Sequence, residues 1–173
     1  MDKINLKEVV ENLINTFLSA GKISLELRQK GLIKKIKSDN TPVSNGDLEV
    51  NKIITKKIIE LTPDVPIVSE ESSDNKSISD LKNFWLIDPI DGTYDYINNL
   101  DEFTINAGLI IDKKPEAGLI YAPAKKRMFF SYGNDFAFEL IDGKNIKLDS
   151  TKNFNKNEIK FVSYSNTIKP EIK

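Results

Sequence analysis

Asp88 and Asp91 stand three residues apart in the stretch Trp85-Leu86-Ile87-Asp88-Pro89-Ile90-Asp91-Gly92-Thr93. The apolar run Phe84 to Ile87 delivers Asp88 at what reads as a strand end, where Pro89 stops ladder pairing and fixes φ. Gly92 opens a backbone conformation closed to other residues, and Thr93 suits the N-cap of a short helix beginning at Tyr94. Two carboxylates therefore converge on one tight turn, beside a helix N-terminus whose free N–H groups favour an anion. Oxygen donors with no histidine or cysteine near them suit a hard cation, and Mg2+ is the usual occupant where a phosphate adds further oxygens. The plain alternative is a pair of surface turns, Asp-Pro and Asp-Gly, since these are common turn residues.

Composition narrows the chemistry further. The 173 residues contain no histidine and no cysteine. That excludes a Ser-His-Asp triad, thiolate or imidazole zinc sites and disulfides, leaving carboxylates, hydroxyls, lysines and metal-activated water. Absence of cysteine leans toward the cytosol, so a cytoplasmic location is expected. With 25 basic against 26 acidic residues there is no polyanion-binding footprint, and a nucleic-acid polymer is not an expected partner. Lys3, Lys7, Glu8 and Glu11 stud the N-terminal region, which reads as neither signal peptide nor membrane span. Lys34, Lys35 and Lys37 read as a solvated face or as a contact for a substrate phosphate.

The elements that must position these groups follow from apolar periodicity. Leu6, Val9, Val10, Leu13, Ile14, Phe17 and Leu18 recur at helical spacing, and the pattern continues past Gly21 to Leu27. Lys34 to Asp39 reads as a connector. A second amphipathic helix runs from Asp47 to Leu61 and is ended by Pro63. Val65 to Ser69 reads as a short strand delivering Glu70 and Glu71, which otherwise merely begin a solvated loop. Ser72 to Ser79 is a polar, serine-rich loop. After a short helix at Tyr94 to Asn99, strands are expected at Phe103–Ile111, Glu116–Tyr121, Arg127–Tyr132, Phe136–Leu140 and Ile159–Tyr164, separated by turn residues. Tight turns between successive strands imply an antiparallel sheet, and helices followed by strands imply an α+β layered domain over residues 1–173.

The string from Trp85 to Thr93 resembles the WxxDPxDGT motif of the inositol monophosphatase-like superfamily of Mg2+-dependent, lithium-sensitive phosphatases. Pro66-Ile67-Val68-Ser69-Glu70-Glu71-Ser72 is similar to the family's strand ending in a Glu-Glu pair. Thr41-Pro42-Val43-Ser44, Thr62-Pro63-Asp64-Val65-Pro66, Glu102-Phe103-Thr104-Ile105-Asn106 and Ile120-Tyr121-Ala122-Pro123 resemble the bacterial 3′(2′),5′-bisphosphate nucleotidase branch of sulfur assimilation. The resemblance covers residues 1 to about 165. It implies a layered sugar-phosphatase-type fold, with N-terminal helices packed on a mainly antiparallel sheet. It also implies a metal site of Glu70, Asp88, the Ile90 carbonyl and Asp91, holding about two or three Mg2+ ions when complete. By the same resemblance Asp47 and Thr93 orient the attacking water, Glu70 is a bridging ligand, and Gly92 and Thr93 N–H groups grip the phosphate. Without the resemblance, Asp47 is an ordinary first-turn acid of a helix. The implied substrate is a small phosphorylated molecule, a nucleotide bisphosphate, with adenosine 3′,5′-bisphosphate yielding AMP and phosphate.

The chain also departs from the pattern. Relatives carry a Trp-Asp-xx-Ala segment further on, and the one tryptophan here is Trp85. Tyr94, Asp95 and Tyr96 replace the branch's usual residues after the motif threonine, as Ser163-Tyr164-Ser165-Asn166 do near the end. These departures lead to the expectation of a shortened chain lacking the C-terminal α/β part, with self-association through the apolar surface so exposed. The alternatives are an inositol-phosphate or sugar-bisphosphate phosphatase, and a catalytically inactive remnant. A haloacid-dehalogenase-type site is set aside, because Ile90 stands where its nucleophilic aspartate belongs.

Overall fold

A long helix and a hairpin open the chain, as seen in a computed structural model that describes residues 4–38, 40–71 and 80–149. Helix α1 spans Leu6–Lys30, one turn beyond the expected stripe. The Asn5 side chain caps it by accepting the Glu8 N–H at 3.3 Å, and Gly31 ends it at φ 95°. Its buried face is Val9, Val10, Leu13, Ile14, Phe17, Ala20, Gly21 and Ser24. Gly21 lies where Tyr121 packs, and a Cβ there would collide with that ring.

The Lys34–Asp39 stretch corrects the expectation of a plain connector. Lys34–Ile36 is a strand, β1, paired antiparallel with β2 at Pro42–Ser44. The turn closes through Lys37 N–H to Thr41 O at 2.9 Å and Asn40 N–H to Lys37 O at 3.0 Å. Backbone pairing supplies here what lysine's weak strand propensity does not. Helix α2 follows at Asn45–Leu61, two residues earlier than expected. Ser44 is the N-cap and Asp47 the third helical residue of a capping box, so the acid lies inside the first turn instead of opening it.

Among the described residues, seven strands form one sheet in chain order: β3 (Ile67–Ser69), β4 (Phe84–Asp91), β5 (Thr104–Ile111), β6 (Lys114–Ala122), β7 (Arg127–Tyr132), β8 (Ala137–Ile141) and β9 (Lys144–Lys147). The β3–β4 pair is parallel and the other pairs are antiparallel, so the sheet is mainly antiparallel as expected. Strand β9 was not legible in its Lys-Asn-Ile-Lys sequence. The expected strand Ile159–Tyr164 and the serine-rich loop 72–79 lie outside the described residues.

One face of the sheet, with Trp85, Ile87, Ile105, Leu109, Leu119 and Phe130, is buried against α1 and α2. Helices on a sheet make this an α+β fold. Trp85 Nε1–H donates to Thr62 Oγ1 at 3.0 Å, which satisfies a buried indole at the junction of α2 and β4.

Candidate active site

The turn that carries the motif is a bulge. Strand β4 does not stop at Asp88 as Pro89 suggests; it runs on to Asp91, with Asp88 opposite Asn106 and Asp91 opposite Thr104. Three steps on β4 thus match two on β5, and Pro89 occupies the irregularity, where no ladder N–H is needed. Residues three apart on a regular strand point to opposite faces. The extra residue brings Asp88 and Asp91 to the same face.

Gly92 follows with φ 89° and ψ 37°, and it is Gly92 that caps helix α3 (Thr93–Ile97), not Thr93. The left-handed conformation is cheap for glycine alone. Thr93 is the first helical residue instead. Its Oγ1 lies 2.9 Å from the Ile90 carbonyl and 3.1 Å from Asp47 Oδ1. Asp47 is 1% exposed, and its Oδ2 accepts from both Ser44 N–H (2.8 Å) and Ser44 Oγ (2.6 Å). The residue is therefore both a first-turn acid and a neighbour of the motif threonine.

Glu70 leaves the end of β3, its N–H bonded to Ile87 O at 3.2 Å. Asp88 is half-buried, and its Oδ1 has no hydrogen-bond partner among the described residues. Burial, then the neighbouring Glu70 and Asp91 carboxylates, push its pKa up to about 7. Asp91 is exposed and accepts from Asn106 Nδ2 at 3.2 Å, while Asn106 Oδ1 is likewise buried without a partner.

Glu70 and Asp91 both act on Asp88 through space, and Asp47 adds to the effect. An all-oxygen donor set with an orphaned carboxylate oxygen fits a hard divalent cation. Among the described residues, no three acidic groups are gathered tightly enough to hold an ion as they stand.

The sequence singled out Lys37 only within a basic cluster, as a solvated face or a contact for a substrate phosphate, and did not foresee its acidic partners. Its Nζ lies 3.0 Å from Glu70 Oε1 and 2.7 Å from Glu71 Oε1, so it is a counter-ion of the acidic cluster and not a solvated face. Burial lowers the Lys37 pKa, but the bonds to Glu71 and Glu70 outweigh it and the net shift is upward. Asn106 was also missed as a neighbour of both motif aspartates. The Ser44-x-x-Asp47 spacing was a signal that could have placed Asp47 within the helix.

The sequence profile of the inositol monophosphatase family matches residues 5–172. The chain belongs to the inositol monophosphatase family. This family member is 34% identical over 158 residues to the 3′(2′),5′-bisphosphate nucleotidase CysQ of Haemophilus influenzae, covering 87% of this chain and 56% of that protein. It is 32% identical over 142 residues to the CysQ of Aggregatibacter actinomycetemcomitans, covering 81% and 53%. The chain thus spans about half the length of the curated relatives it matches. Among solved structures, the suhB protein of Bartonella henselae superposes with a TM-score of 0.70 at 23% identity, over 83% of this chain and 55% of that one. An IMPase/NADP phosphatase complexed with NADP and Ca2+ does so with a TM-score of 0.71 at 18% identity, over 80% and 53%. These likenesses establish the fold. Among the described residues, no helix is long and apolar enough to cross a membrane.

Proposed function

We propose that this chain carries the metal and water-activating part of a Mg2+-dependent phosphate monoester hydrolase, acting on a small phosphorylated substrate. The observation that carries the reading is Thr93 Oγ1 poised 3.1 Å from the buried Asp47, on the same turn as Asp88, whose Oδ1 has no hydrogen-bond partner among the described residues. Glu70, Asp88, Asp91 and the Ile90 carbonyl would hold the cation. When bound, Mg2+ supplies Lewis acidity toward the phosphate and the attacking water.

The chain's own residues do the rest. Asp47 is fixed by its Ser44 bonds, so Oδ1 is the oxygen free to take a proton through Thr93 Oγ1. Thr93 can donate its single hydrogen to Asp47 or to Ile90 O, which lets its oxygen orient a water in either state. Gly92, the N-cap of α3, has no side chain with which to cap the helix, which leaves the backbone N–H groups at its start for phosphate oxygens. Similarity to the two CysQ proteins favours adenosine 3′,5′-bisphosphate as substrate, with AMP and phosphate as products. A cytoplasmic setting suits that substrate.

The test is phosphate release by the purified chain with Mg2+, comparing adenosine 3′,5′-bisphosphate, inositol 1-phosphate and fructose 1,6-bisphosphate. Preference for the nucleotide supports the reading. Preference for either of the others moves the substrate and keeps the chemistry. Silence on all three by folded protein overturns the reading in favour of a chain without turnover.

A further inference from the structure

We propose that Arg28, on the last turns of α1, is a positioning residue for the Gly92–Thr93 turn, acting through the loop 100–103. The proposal rests on the reading of that turn as the phosphate site. Arg28 lies outside every motif that carries the family resemblance. Its side chain is only 14% exposed. Nη1 donates to the Leu100 carbonyl at 2.7 Å, and Nη2 lies 3.1 Å from Asp101 Oδ1. The guanidinium carbon sits 5.3 Å from the Phe103 ring centroid and 6.0 Å from that of Tyr96. Those two rings are themselves 4.9 Å apart. One planar group therefore touches helix α3 and both ends of the loop that follows it.

The loop in turn touches the site. A Cβ built on Gly92 would lie 2.7 Å from the Glu102 carbonyl oxygen and 3.3 Å from Phe103 Cα, so the loop backbone closes directly behind the glycine. The start of the loop is tied to α3 by Leu100 N–H to Asp95 O at 2.8 Å, and Tyr96 N–H returns to Gly92 O at 3.0 Å. One turn back on α1, the Ser24 carbonyl accepts from Tyr96 OH at 2.7 Å. Ser24 and Arg28, at i and i+4 on one face, thus hold the same unit at two points. The ion pair is not the source of the effect, because Asp101 is 59% exposed and such pairs contribute little. A planar group close to two rings that donates at the same time to the Leu100 carbonyl and to Asp101 is a combination that the single ammonium of lysine does not reproduce.

The ordinary alternative is that Arg28 is a basic residue complementing the C-terminal end of α1. Hydrogen exchange separates the two. Arg28→Met is expected to speed amide exchange across residues 92–103 about tenfold, leaving α2 and strands β4 to β7 protected. Arg28→Lys should fall between, since it keeps a cation and a donor for Leu100 O and loses the second nitrogen and the planar contact area. Lys125→Met removes an exposed partner of the Glu102 side chain from the same loop, at 2.9 Å, and should leave exchange there unchanged. Calorimetric titration of inorganic phosphate in the presence of Mg2+ should weaken in the same order. Unaltered exchange at 92–103 in Arg28→Met, or faster exchange confined to the end of α1 or spread over the whole fold, overturns the proposal. Failure of the unsubstituted chain to bind phosphate would overturn the phosphate-site reading instead, and the exchange data would still decide the role of Arg28.

Discussion

Thr93 Oγ1 lies 3.1 Å from Asp47 Oδ1, although they are 46 positions apart and sit in the first turns of different helices. The capping box at Ser44 aims one helix start, and the β4 bulge with its left-handed Gly92 aims the other. Thr93→Val keeps the shape and removes the hydroxyl. Phosphate release is expected to fall about 100-fold or more, with Thr93→Ser retaining most activity and melting close to the parent, while Thr93→Val loses about 1–3 kcal/mol because it leaves the buried Asp47 Oδ1 without its donor. Steady-state rates with Mg2+ check this, and equal rates for Val and Ser would remove the hydroxyl from the mechanism.

Asp88 is a carboxylate whose surroundings oppose its own charge. In metal-free protein its folded pKa of about 7 lies above the ordinary 3.8, so the folded chain holds a proton that the unfolded chain has released. This contribution to stability is present below pH 3.8 and is lost as pH rises to about 7. Asp88→Asn should therefore stabilise the metal-free chain at pH 8, by about 1–2 kcal/mol after allowing for solvent screening. It should also abolish stabilisation by Mg2+. Denaturant melts with EDTA or millimolar Mg2+ measure both. A substituted chain that still gains stability from Mg2+ would take Asp88 out of the ligand set.

Gly92 offers a purely conformational test. Its φ is 89°, and a Cβ would meet the Glu102 carbonyl at 2.7 Å. Gly92→Ala is expected to cost about 2 kcal/mol or more, from left-handed strain plus displacement of the loop. The same variant should weaken phosphate binding beyond what its lower melting temperature explains. Retention of full stability would show that the loop yields freely.

The sequence carried the buried stripes of α1 and α2 and most of the sheet, because apolar periodicity records which face is buried. Val9, Leu13 and Phe17, and Trp85 with Ile87, declared their faces through spacing alone. Pro89 misled because its local rule, an end to pairing, competes with a bulge that tolerates it. The capping role passed from Thr93 to Gly92 for a related reason: a positive φ satisfies the geometry without a side-chain cap. The β1–β2 hairpin and β9 are lysine-rich pieces held by backbone pairing, which side-chain pattern does not report. Lys37 and Arg28 owe their roles to partners 33 and 72 residues away, and spacing along a chain carries no trace of such contacts.

Lys37 provides the sharpest electrostatic expectation. Glu71 is only 6% exposed at its side chain and faces the ammonium at 2.7 Å, whereas Glu70 is 47% exposed at 3.0 Å. Removing the cation strands the more buried partner, and an unpaired, nearly buried carboxylate costs more than a solvated pair contributes. Lys37→Met in metal-free protein should therefore lose about 1–3 kcal/mol at pH 7.5. The double substitution Lys37→Met with Glu71→Gln should recover much of that loss, because the stranded charge is gone. Urea denaturation of the four chains in EDTA completes the cycle. Additive losses would show that Lys37 and Glu71 are not coupled, and the acidic cluster would then have to be balanced by some other group.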